Sequence, residues 1–76
     1  MIITNNTNEI VYCYLQQKDN LLQIGLLYPN ESIQRDLRKG FIHFKLTQMI
    51  HDMIVPSKTF SIKEIKGINQ VCLTVH

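Results

Sequence analysis

"TQMIHDMIVP", residues 47–56, is the stretch on which the fold of this chain turns. Leu46, Met49, Ile50, Met53 and Ile54 fall at helical spacing, so they fit a two-turn helix that stops before Pro56. The same side chains fit the two arms of a long hairpin that reverses near His51-Asp52. The first reading sets a helical turn into the chain, and the second makes the chain strand throughout. Both flanks alternate with period two, and that favours the hairpin.

Upstream, "FIHFKL" (41–46) places Ile42, Phe44 and Leu46 on one face and Phe41, His43 and Lys45 on the other. Downstream, Phe60 and Ile62 alternate in "TFSIKEI" (59–65), as do Val71, Leu73 and Val75 in "QVCLTV" (70–75). Lys66-Gly67-Ile68-Asn69 joins those two runs. Nearer the N-terminus, "IVYCYL" (10–15), "LLQIGLLY" (21–28) and the polar "SIQRDL" (32–37) read as further strands, the last suited to a sheet edge. Lys18-Asp19-Asn20 and Pro29-Asn30-Glu31-Ser32 supply turn chemistry between them. Gly25 inside its strand signals a bulge or a close backbone approach. Six to seven short strands at regular spacing predict an all-β fold. The expected architecture is one domain over 1–76, a small antiparallel β-sandwich or partly open barrel, with a short helical turn near 47–54 as the alternative.

Seventy-six residues bury about 60–65% of the unfolded surface, so the core supplies only roughly 3–5 kcal/mol net. That leaves little to support a deep, strained active site. The apolar share of 45% against 18% charged excludes a disordered chain. No apolar run approaches a membrane span, and MIITNNTNE lacks the basic and apolar regions of a signal peptide, so a cytoplasmic location is expected. The sequons Asn5-Asn6-Thr7 and Asn30-Glu31-Ser32 are expected by chance in a chain this rich in Asn. Charge is uneven: residues 1–34 carry a net −2 and residues 35–76 a net +4. Cys13 lies on the apolar Val11/Leu15 face and Cys72 on a face with Gln70 and Thr74, so two free thiols are expected rather than a disulfide.

Catalytic arrangements are weak. There is no G-x-S-x-G elbow, and the six carboxylates are scattered singly, outside apolar runs that would raise a pKa. Cys72 with His43 or His76 forms a thiolate–imidazolium pair only if adjacent strands align them outward. His43, His51, His76 and Cys72 lack metal-ligand spacing. No catalytic residue, cofactor or metal is expected.

A surface remains. If the strands beginning at 41, 59 and 70 share a sheet, Phe41, His43, Lys45, Thr59, Ser61, Lys63, Cys72, Thr74 and His76 face outward, with Arg35, Arg38 and Lys39 at the near corner. From that mildly basic face Phe41, His43, Lys45 and Lys63, rimmed by Arg35 and Arg38, are the candidate partner-binding residues. Another protein is the expected partner, with self-association through edge strands as a further outcome. Nucleic acid bound by the basic 35–66 face is the alternative, and it calls for more arginine and more aromatics than this. Tyr12, Tyr14 and Tyr28 form a second candidate face.

"IITNNTNEIVYCYL", "IGLLYPNES", "LRKGFIHF" and "HDMIVP" together resemble the strands and corners of the β-sandwich domain of the von Hippel–Lindau tumour suppressor family. The resemblance covers about the first sixty residues. It implies a compact sandwich used to bind other proteins. That family recognises hydroxyproline with a serine, a histidine and a tryptophan. Leu37, Phe41 and His43 stand at the matching positions here, so that ligand chemistry does not carry over. No counterpart of the family's helical part is expected among these residues. The sequence therefore reads as a non-catalytic interaction module, of the kind found among small inhibitors, adaptors and accessory proteins of viruses or mobile elements.

Overall fold

The computed structural model describes residues 1–74; Val75 and His76, which the sequence reading had placed on the last strand and the outward face, lie outside the described residues. Among the described residues seven strands form two sheets: β1 (Ile2–Asn6), β2 (Ile10–Gln17), β3 (Asn20–Leu27), β4 (Ser32–Gln34), β5 (Phe41–Ile50), β6 (Met53–Ile62) and β7 (Gln70–Thr74). One sheet has the order β3-β2-β5-β6, the other β4-β1-β7. All pairings are antiparallel except β1 with β7, which run parallel with Ile2 opposite Gln70.

The deciding stretch is a hairpin, and no helical turn forms over 47–54. Ile50 pairs with Met53 across a two-residue loop in which His51 and Asp52 both take left-handed φ, 50° and 64°. Two positive φ values in a row are what a hairpin loop matched to strand twist requires, and Asp and His are among the residues that tolerate them. The apolar residues at helical spacing are thus divided between two strands.

Strand extents differ most from the sequence expectation in β4 and β6. β4 stops at Gln34 instead of reaching Leu37: the Arg35 N–H donates to the Met1 carbonyl at 2.9 Å, and Leu37 N–H turns back to the Arg35 carbonyl. β6 is one strand from Met53 to Ile62, where a return strand and a separate 59–65 strand were expected. It ends before Ile65, which is buried in the closing loop by the turn from Ile65 to Ile68, with Gly67 at φ 83°. The strand at 70 belongs to the other sheet from those at 41 and 59, so the single three-strand outward face does not form.

The inward rows follow the alternation. Val11, Cys13 and Leu15 of β2 lie beside Leu46, Phe44 and Ile42 of β5 and meet Ile3 and Leu73 of the facing sheet. Phe44 is the largest fully buried side chain. Ile24 is an extra residue in β3, since Cys13 pairs with Gly25 and Tyr14 with Gln23. Gly25 sits against Ile33 of β4, and a Cβ there would collide with the Ile33 side chain. The glycine therefore answers to both signals read from the sequence, the bulge and the close approach.

Asn5 ties the sheets together. It is fully buried; its amide nitrogen donates to the carbonyls of Glu9 (2.7 Å) and Leu27 (3.0 Å), and its oxygen accepts from the Thr7 N–H and hydroxyl. The Asn5-Asn6-Thr7 sequon is thus a structural turn. No helix among the described residues is long and apolar enough to cross a membrane.

Candidate functional site

The outer face of the four-stranded sheet is laid out by register. Leu26, Tyr12, Lys45 and Thr59 make one cross-strand row, Gln23, Tyr14, His43 and Ser61 the next, and Leu21, Gln16 and Phe41 a third. Tyr12 and Tyr14, which the sequence set on a candidate face of their own, alternate onto the same surface as Phe41, His43 and Lys45. Directly opposed residues share a face, so the two candidates are one. Leu21, Leu26 and Phe41 stand exposed upon it. Tyr28 follows β3 outside the ladder and is also exposed.

His43 is at the middle of this face, with both ring nitrogens engaged. Nε2 donates to Gln16 Oε1 at 2.7 Å, and Nδ1 lies 2.7 Å from the Ser61 hydroxyl, which donates to it when the ring is neutral. The ring is held across three strands and serves as a fixed polar centre amid aromatic neighbours. Lys45 stands one row away.

The remaining proposed residues divide. Lys63 is exposed one position beyond Ile62, which pairs with Ile42, so it borders the Phe41 row. Arg38 is exposed and paired with Asp36 at 3.3 Å in the segment between β4 and β5. Arg35 is elsewhere: its Nε donates to the Ile24 carbonyl and its Nη1 to the Gln34 carbonyl, along the β3–β4 side of the molecule. The expected basic corner is thus split into an ion pair and a cation bound to backbone oxygens.

Cys72 lies on β7, on a different sheet from His43, which separates the thiol and the imidazole considered together above. Cys13 is buried, and burial pushes its thiol up to about 11, the nearby Arg35 opposing the shift. Both cysteines are free. No group of three or more His, Cys, Asp or Glu able to hold a metal occurs among the described residues.

Sequence reasoning missed a second surface. Nine of the ten β6 positions are exposed, and the tip of the β5–β6 hairpin shows Met49, Ile50, Met53, Ile54 and Val55 to solvent, Met53 at 66%. Its base is held from the β1–β2 turn: Glu9 accepts from the Ser57 hydroxyl and from Gln48 Nε2. Ser57 is the extra residue of a bulge, because Leu46 pairs with Lys58 and Thr47 with Pro56. The available signal was the apolar run on both sides of His51-Asp52, too dense for a solvated turn.

Comparison with protein-family models, with curated proteins and with solved structures returns no significant match.

Proposed function

We propose that this protein is a non-catalytic, cytoplasmic interaction module that binds another protein through the outer face of its four-stranded sheet. The observation that carries this reading is the merging of Tyr12, Tyr14, Phe41, His43 and Lys45 into one surface, with Leu21 and Leu26 beside them. Tyrosines with polar tips and an exposed phenylalanine match the aromatic enrichment of protein-binding patches, with a fixed histidine among them. Phe41 and the two tyrosines supply apolar contact area at low entropic cost. Lys45 and Lys63 give preference for an acidic rim on the partner. The resemblance to a sandwich family that binds proteins points the same way. An inhibitor, adaptor or accessory role fits a module this small.

The test is affinity capture from the native host, comparing wild type with Phe41→Ala/Lys45→Glu. The expected result is one specific protein lost with the double variant and retained by Cys72→Ser, which alters the other sheet. Recovery that is insensitive to the double change removes the outer face from consideration. Nucleic acid is the competing ligand, and binding that weakens steeply with salt would favour it.

A further inference from the structure

We infer that two copies of this chain associate through β6, its uncovered inner row closing on that of the second copy across a two-fold axis. The register fixes which side chains make that row. Ile50, Gln48, Leu46, Phe44 and Ile42 of β5 oppose Met53, Val55, Lys58, Phe60 and Ile62 of β6, so the β6 residues share the face that elsewhere packs against the second sheet. Ser57 restores the alternation after Pro56. Yet Phe60 is 46% exposed beside the fully buried Phe44, because the three-stranded sheet does not extend over the fourth strand. Half a sandwich layer is missing at that edge.

The whole surface is larger than a compact chain of this mass requires. A compact monomer of 8.9 kDa is expected to expose roughly 4,800 Å². This chain exposes 5493 Å². The excess of roughly 700 Å² is close to the ~800 Å² that each partner of a stable complex buries.

At the opposite edge of the sheet the Ile24 carbonyl of β3 takes the Arg35 side chain, whereas the outer edge of β6 has no backbone partner among the described residues. Antiparallel overlap of two β6 strands sets Met53 against Ile62 and Val55 against Phe60 of the second copy, twice over. At the centre Lys58 falls beside the second copy's Ser57, the residue whose hydroxyl Glu9 holds, so each lysine meets a carboxylate. Pro56 and the bulge interrupt the backbone ladder there, so the apolar row supplies the association and the pairing closes at two copies instead of propagating.

This goes beyond the outer-face reading and uses different residues. The experiment is sedimentation equilibrium of the full chain in reducing buffer at micromolar concentration. Wild type is expected at twice 8.9 kDa, and Met53→Lys/Val55→Lys, at two exposed positions, at 8.9 kDa with unchanged circular dichroism. In a Cys72→Ser background, Val55→Cys/Phe60→Cys is expected to cross-link residue 55 of one copy to residue 60 of the other upon oxidation. A monomeric wild type, with the row left for a different protein, overturns the inference, as does a double-lysine variant that stays dimeric. Cross-links joining only like positions overturn the register. Partner capture by a monomeric Met53→Lys/Val55→Lys chain would show that the outer-face function stands whether or not the copies pair.

Discussion

The side-chain amide of Asn5 donates to the Leu27 carbonyl at 3.0 Å, a hydrogen bond that passes from β1 in one sheet to β3 in the other. All the polar capacity of that buried amide is used, since the same group also holds Glu9 and Thr7. Removing it strands several backbone groups together. Asn5→Ala is expected to cost about 2–4 kcal/mol, most of what a core this size supplies. Asn5→Asp, which keeps the acceptor for Thr7 but loses both donors, is expected to be nearly as severe. Urea midpoints of the two variants check this, and a loss below about 0.5 kcal/mol would remove Asn5 as the tie between sheets.

Gly25 and Ile33 make a second contact between the sheets, in which the end of the Ile33 side chain fills the space a Cβ at position 25 would take. Gly25→Ala is expected to destabilise by about 1–2 kcal/mol through overpacking against the Ile33 side chain. Ile33→Val shortens that chain, so the alanine should cost less in its presence. A double-mutant cycle measures the coupling, and strict additivity would show that the two residues do not press on one another.

The His51-Asp52 loop holds two non-glycine residues at left-handed φ. Asp52→Gly is expected to stabilise the protein by about 0.5–1 kcal/mol, since glycine adopts that geometry without steric cost. A helix over the same residues would be weakened by this change. The sign of the shift in thermal midpoint therefore reads out the hairpin directly.

The two thiols should behave differently. Cys72 is exposed and expected to alkylate rapidly in the native protein, while Cys13 reacts only on unfolding. The Cys13 pKa is raised in the folded state, so the folded protein holds that proton more tightly than the unfolded chain. The associated stability is complete below the ordinary thiol value and is lost as pH rises toward about 11. Denaturation midpoints measured through that alkaline window should fall for wild type and fall less for Cys13→Ala. Equal alkaline slopes would contradict the assignment.

Much of the fold was legible because alternation is local. The inward rows of β2 and β5, the bulge beside Gly25 and the two free thiols all follow from residue type at spacing two. The helix at 47–54 could be rejected only through its flanks, because Met49, Ile50, Met53 and Ile54 satisfy both periods. What stayed hidden was pairing order. Nothing in "QVCLTV" says that it joins β1 in parallel rather than β6, because that choice depends on how seven strands close, a property of no single stretch. The merged outer face was hidden for the same reason: Tyr14 and His43 are neighbours only once β2 and β5 pair. Asn5 did leave a trace, since Asn-x-Thr is the pattern of a side chain bonding the backbone two residues on.

The parallel pairing of Ile2–Asn6 with Gln70–Thr74 has a consequence for biosynthesis. The hairpins of the larger sheet are made of neighbouring segments and form in microseconds once each emerges from the ribosome. The smaller sheet is completed only when β7 arrives, long after its partner β1 was made. Until then β1 and β4, already paired with each other, face the larger sheet without Leu73 and Val71, and the apolar surface left open in that interval is where a chaperone would bind.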